Sequence, residues 1–277
     1  MVDHLRTRAE FEQCLRANEN GEVTAEFNGM HLRSVYQPIF RRDNTVAGFE
    51  ALIRAVGVDG SHVCPAHLFR CLDQSHPDFA NQISVDKLAR VIHLRNFAKY
   101  AGQHWIFLNM LPSSAVASIE TFSNQNLMVQ RLAEMGIPRE HVVLEVVEHL
   151  HSDSVSLSAA TNQSIKNGFR IAVDDYGVEG SEEARVRMLR PNIIKIDRSL
   201  VQSYVGGEVE AILRSIALAK EVGAEVLVEG IENQEEYDAM KALNVAYFQG
   251  FHLGMPQPLS EYFDTNPLDF EPLRQAK

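Results

Sequence analysis

The chain has 277 residues, 45% apolar and 23% charged. That is enough to bury a large core, and it fits an α/β barrel, which takes roughly 250 residues. The formal net charge of −11 argues against generic binding to nucleic acid or to an anionic membrane, so an anionic ligand needs local neutralisation by metal ions or a few placed Arg and Lys. Cys14, Cys64 and Cys71 form no C-x-x-C and no zinc spacing with His, Met1–Arg8 is too polar for a secretory core, and no run matches a membrane span. The expectation is a cytoplasmic protein.

Residues 1–28 are polar and read as a short helical extension ending in the Asn18–Gly21 turn. Apolar runs rich in Val, Ile and Phe follow at Ser34–Phe40, Ala47–Ile53, Trp105–Asn109, Val142–Val147, Arg170–Asp174, Ile193–Asp197, Val226–Glu229 and Tyr247–Gly250. Helical spacing fills the gaps. Ser156–Asn167 reads as a helix ended by Gly168, and Val209, Ile212, Leu213 and Ile216 mark another, ended by Gly223. Asn233 and Glu236 have the spacing of an N-cap with its partner. Strands alternating with helices predict a barrel-like α/β domain over 29–265, with 266–277 as a tail. Arg41–Val46 is too short for a crossover helix, so the first two strands should pair antiparallel.

Polar residues close these runs: Glu50, Asn109, Glu145 with Glu148, Asp174 with Asp175, Lys195 with Asp197, Glu229 with Glu232, and Gln249. A parallel barrel gathers strand C-termini at its active-site end. That many carboxylates in one pocket would repel, and divalent cations such as Mg²⁺ or Mn²⁺ relieve it. Adjacent Asp174 and Asp175 suit two ions, a recurring arrangement for phosphodiester hydrolysis. Lys195 suits orienting water and stabilising charge better than acting as a base. Singly, each residue has a plainer explanation. Glu50 reads as a solvated carboxylate, Asp-Asp before Tyr-Gly as a turn, Asn109 as a loop hydrogen-bonder, and Lys195 with Asp197 as a surface pair. The ordered combination is what points to a site.

The same residues resemble a known family. Gln37-Pro38-Ile39 and Glu50-Ala51-Leu52-Ile53-Arg54 are similar to the Q-P-I and E-A-L-x-R signatures of EAL domains. In order there follow Leu108-Asn109, Leu144-Glu145-Val146-Val147-Glu148 (L-E-x-x-E), Asp174-Asp175-Tyr176-Gly177 (D-D-F-G), Lys195-Ile196-Asp197 (K-I-D), Glu229-Gly230-Ile231-Glu232 (E-G-V-E) and Gln249-Gly250-Phe251 (Q-G-Y/F). The resemblance covers roughly residues 30–260.

It implies a TIM-like (β/α)8 barrel with one antiparallel strand. The implied reaction is hydrolysis of cyclic di-GMP to linear pGpG in bacterial signalling, with two Mg²⁺ or Mn²⁺ ions and inhibition by Ca²⁺. By resemblance, Glu50, Asn109, Glu145 and Asp174 hold the first metal, and Asp174 with Asp175 the second. Lys195, Glu229 and Gln249 position or activate water, with Glu229 as general base. Arg54, Gln37, Leu52 and Gln249 contact substrate; a surface salt bridge is the plainer account of Arg54. Glu148, Asp197 and Glu232 support the loops, and a homodimer is implied through helices near the loop after the Asp pair. That loop departs from the family's D-F-G-T-G-Y-S-S-L, reading Asp175-Tyr176-Gly177-Val178-Glu179-Gly180-Ser181-Glu182-Glu183. A weakly active or inactive module that binds cyclic di-GMP or a protein partner is therefore the alternative.

Overall fold

The computed structural model describes residues 5–69, 76, 78–100, 104–111, 122–146, 154–177 and 183–267. Cys71, Val147, Glu148, the loop residues 178–182 and the tail from 268 onward lie outside the described residues.

Eight strands close the barrel: β3 (Met30–Arg41), β4 (Val46–Gly57), β6 (Trp105–Met110), β7 (Val142–Val146), β8 (Arg170–Tyr176), β9 (Ile193–Ile196), β10 (Glu225–Val228) and β11 (Tyr247–Phe248). Their spatial order is β3-β11-β10-β9-β8-β7-β6-β4, sealed by pairing of β3 with β4. Strand β3 runs antiparallel to both neighbours, β11 and β4, and the other pairings in the ring are parallel. The expected fold class and first hairpin are both present.

Helices on the outside bury the other face of each strand. Among the described residues these include α3 (Phe79–Phe97), α4 (Phe122–Glu134), α5 (Ser154–Lys166), α6 (Glu183–Leu189), α7 (Arg198–Val205), α8 (Glu210–Val222), α9 (Gln234–Ala242) and α10 (Leu259–Thr265). The expected stops are present: Gly168 and Gly223 adopt φ +90° and +78°, conformations in which glycine carries no Cβ penalty. Asn233 caps α9 by accepting from Glu236 N at 2.9 Å. The Glu236 carboxylate reaches one residue further back than a capping box requires, to Glu232 N at 2.7 Å. None of the described helices is long and apolar enough to cross a membrane.

The N-terminal segment differs from the helical reading. Among its described residues only α1 (Arg8–Cys14) is helical. β1 (Leu15–Ala17) and β2 (Val23–Phe27) add antiparallel strands to β3. β3 and β4 run past the barrel rim as a ribbon, and β2 needs that exposed edge to pair with. A polar segment takes its conformation from such a tertiary edge, which local periodicity does not reveal. One face of this ribbon, with Ala25, Phe27, Leu32, Ile53 and Ala55, packs on Val85, Leu88, Ala89 and Ile92 of α3.

The barrel interior is layered. Ile39, Ala47, Phe107, Val143, Ala172, Ile193, Leu227 and Tyr247 meet on the axis as one buried apolar layer. Side chains alternate along a strand, so the next inward residue lies two positions on. That step gives Asn109, Glu145, Asp174, Lys195, Glu229 and Gln249 on the parallel strands. On antiparallel β3 it gives Gln37, which faces Glu50 in register. A register shift at Phe40, opposite Val46, absorbs one extra residue of β4 and brings Glu50, rather than Phe49, to the inside.

Candidate active site

The polar layer places one cation among carboxylates. Lys195 Nζ lies 2.5 Å from Glu145 Oε1, 2.7 Å from Asp174 Oδ1, 2.7 Å from Glu229 Oε1 and 3.8 Å from Glu50 Oε1. Its side chain is only 1% exposed. Burial opposes its charge, yet Asp174, Glu145, Glu229 and Glu50 together hold its pKa well above the usual lysine range, so it is an ammonium and not a base. Burial first, outweighing Lys195, raises the carboxyl pKa of Glu145 and Glu229. The charges of Asp174 and Glu50 add to both.

Glu50 is also held by amides. Gln249 Nε2 donates to its Oε2 at 2.7 Å and Asn109 Nδ2 to its Oε1 at 3.4 Å. Gln249 also donates to Gln37 Oε1 at 3.3 Å, and Gln37 donates to the Gly254 carbonyl at 3.2 Å. Gly250 follows directly, and a Cβ there would lie 2.0 Å from the Ile231 carbonyl oxygen. Only glycine permits that approach, which ties the Gln249 backbone to the loop carrying Glu229 and Glu232.

Asp175 breaks the strand rule. Neighbouring strand residues face opposite sides, so Asp175 would point away from Asp174. It adopts instead φ +52°, a left-handed conformation that Asp tolerates better than most residues, where the β8–β9 register shifts between Val173 and Tyr176. Asp174, Asp175 and Glu229 can thus each present an oxygen within 4.8 Å of the others. Burial of one side of the Asp175 carboxyl, then the Asp174 charge, raises its pKa to about 6. A strained backbone that gathers like charges marks a site built for something else to neutralise them.

Divalent cations fit this donor set. The groups able to ligate are carboxylate and amide oxygens, which suit Mg²⁺ or Mn²⁺. Glu145 Oε2 is fully buried and accepts no hydrogen bond, a costly state for a carboxylate oxygen unless a cation or proton occupies it.

The remaining expected residues lie around this centre. Gln37, Glu50, Glu229, Glu232 and Gln249 line the open cavity at the mouth. Arg198 and Phe251 line it too; the sequence reading gave Phe251 only as part of the Gln249-Gly250-Phe251 motif and missed Arg198. Arg198 directly follows the K-I-D run, which was the available signal, and it pairs with Glu232. Asp197 caps α7, accepting from Ser199 N at 2.8 Å, so it sets the course of the chain leaving β9. Leu52 and Arg54 stand higher on β4, beyond the residues lining the cavity. The Arg54 guanidinium donates to the Ile53 carbonyl at 2.9 Å, not to a carboxylate.

Comparison with known proteins agrees with this fold. Residues 21–256 match the family described as EAL domain. The probable cyclic di-GMP phosphodiesterase PdeA of Escherichia coli (strain K12) is 38% identical over 128 residues, 45% of this chain and 18% of that protein. The cyclic di-GMP phosphodiesterase PdeF of the same organism is 31% identical over 150 residues, 53% of this chain and 20% of that protein. The chain therefore spans about a fifth of these relatives' length. The crystal structure of the Bacillus subtilis YkuI protein, which has an EAL domain and was solved with cyclic di-GMP and calcium, superposes with a TM-score of 0.69 at 26% identity, covering 86% of this chain and 61% of that one. Sequence match and barrel topology agree, and the chain belongs to the EAL domain family.

Proposed function

We propose that this chain is a metal-dependent phosphodiesterase that opens cyclic di-GMP to linear pGpG. The observation that carries the reading is the buried carboxylate layer around Lys195, with Asp174, Asp175 and Glu229 able to bring oxygens within 4.8 Å of one another. In the proposed assignment Glu50, Asn109, Glu145 and Asp174 would hold one Mg²⁺ or Mn²⁺, and Asp174 with Asp175 would hold a second. When bound, such ions supply Lewis acidity toward water and the phosphoryl oxygens.

The protein's own groups do the rest. Lys195 stays protonated and fixes Glu145, Asp174 and Glu229 in one place. Glu229 lies at the cavity wall and takes the proton of the attacking water. Gln249 orients Glu50 through its amide NH₂, which leaves its buried Oε1 without a donor and free to accept one from water. The leaving 3′-oxygen takes up a proton as the phosphodiester bond breaks, giving a linear dinucleotide with a 5′-phosphate. Gln37, Leu52 and Arg54 face the substrate, with Glu148, Asp197 and Glu232 in support of the loops. Met188 of α6 and Leu213 of α8 are exposed apolar residues suited to the proposed homodimer.

The test is conversion of cyclic di-GMP to pGpG by the pure protein with Mg²⁺ or Mn²⁺. Glu50→Ala should abolish turnover and keep the fold. Undiminished activity in that variant would refute the metal assignment. The substituted loop Val178–Glu183 favours a second reading, a module that binds cyclic di-GMP without cleaving it, and binding with no product in either metal would establish it.

A further inference from the structure

Two arginines face each other on the ribbon above the barrel mouth. Arg33 of β3 and Arg54 of β4 are directly opposed in register, so their side chains leave the same face with Cβ atoms about 5 Å apart. Like charges so placed destabilise a strand pair. Arg54 is buried to a degree that lowers its pKa, and the charge of Arg33 lowers it further. Among the described residues no carboxylate pairs with either arginine, and the charge of Glu50 offsets only part of what lowers the Arg54 pKa. Arg54 reaches only a backbone carbonyl, and Arg33 has no hydrogen bond or ion pair among the described residues. Glu26, on β2 opposite His31, is engaged by Arg16 at 3.0 Å. In a chain of net charge −11, an arginine pair with no carboxylate partner among the described residues is an arrangement with a cost.

Strand alternation says which way the pair faces. Arg33, Val35 and Gln37 share one side of β3, and Glu50, Leu52 and Arg54 share one side of β4. Gln37 and Glu50 belong to the polar layer of the site. The opposite side, with Leu32, Ile53 and Ala55, is sealed against α3. Val35 with Leu52 and then Arg33 with Arg54 therefore continue the inner wall of the barrel upward. Four residues of strand put Arg33 and Arg54 about 13 Å above Gln37 and Glu50, and their long side chains span part of that gap.

We propose that Arg33 is a further substrate-binding residue, acting with Arg54 as a paired clamp on the half of the cyclic dinucleotide that does not react. The inference rests on the functional reading above. Adjacent guanidinium forks suit non-bridging phosphate oxygens and the O6/N7 edge of guanine. A bound dinucleotide phosphate also removes the repulsion between the two cations.

The experiment is calorimetric titration of cyclic di-GMP in Ca²⁺ against the wild-type chain, Arg33→Gln, Arg33→Lys and Arg54→Gln, with melting temperatures and with Mn²⁺-supported kinetics. Arg33→Gln is expected to weaken binding roughly tenfold, the scale of one charge-assisted contact. It should raise KM while kcat changes less than about twofold, and its melting temperature should hold or rise because a like-charge contact is gone. Arg33→Lys should recover part of the affinity. Wild-type affinity in Arg33→Gln beside a weakened Arg54→Gln would overturn the clamp and leave the phosphodiesterase reading standing. A lowered melting temperature with no recovery in Arg33→Lys would assign Arg33 a structural role and overturn it as well. A wild-type chain that neither binds nor cleaves cyclic di-GMP would remove the functional reading and this inference together.

Discussion

Replacing Lys195 by Met tests the carboxylate layer most directly. The methylene stem is kept in size, and the charge that touches Glu145, Asp174 and Glu229 at 2.5–2.7 Å is lost. Breaking a buried ion pair from one side costs about 3–5 kcal/mol. Glu145 and Glu229 are already pushed toward protonation by burial, so they relieve part of the cost by taking up protons, and about 3 kcal/mol is expected near pH 8. The unfolding entropy of a chain of 277 residues converts that into a fall of about 5 °C in melting temperature. The assay is thermal unfolding in chelator. The deficit should shrink as pH falls and the carboxylates protonate, and shrink again on adding Mg²⁺ or Mn²⁺, which bind the native state. A Lys195→Met protein that melts with the wild type in chelator near pH 8 would show that the carboxylates do not converge on this ammonium, and the reasoning about the site would fail with it.

Asp175→Gly keeps the left-handed backbone at φ +52° and removes the carboxylate. It should hold or raise metal-free stability by up to about 1 kcal/mol while lowering Mn²⁺ affinity in a titration; a clear loss of metal-free stability would contradict the strain argument. Gly250→Ala forces a Cβ to within 2.0 Å of the Ile231 carbonyl oxygen and should cost about 3 kcal/mol in urea unfolding, with loss of turnover through the displaced Gln249. His93 is buried against Ser34 Oγ at 2.8 Å, and burial lowers its pKa to about 3 from 6.5. Its folded pKa lies below the unfolded one, so its contribution is present above about pH 6.5 and lost as pH falls. At pH 5 the loss is about 2 kcal/mol. His93→Gln should show a shallower fall in stability between pH 7 and 5 than the wild type. Comparing the two cancels the carboxylates of the site, and parallel curves would refute the assignment.

The sequence by itself carried the chemistry and its order. Polar residues close the apolar runs because strand ends are where a barrel opens to ligand, so Glu50, Asn109, Glu145, Asp174, Lys195, Glu229 and Gln249 were readable one strand at a time. The short Arg41–Val46 connection was enough to require an antiparallel pair, and that pair is present. Arg198 could be suspected only from its place after Asp197.

Tertiary structure decided what depends on neighbours distant in the chain. β1 and β2 form because the β3–β4 ribbon offers an edge, which no local periodicity announces. The extra residue absorbed beside Phe40 turns Glu50 inward, and the left-handed turn at Asp175 brings two adjacent carboxylates to one side; both depend on strand register. Lys195 sits at the centre of the carboxylates rather than at their edge because alternation and closure place its strand position in the same layer as theirs. The opposition of Arg33 and Arg54 has the same origin: it exists only across a strand pair, and a sequence shows two arginines far apart where the fold sets two charges side by side.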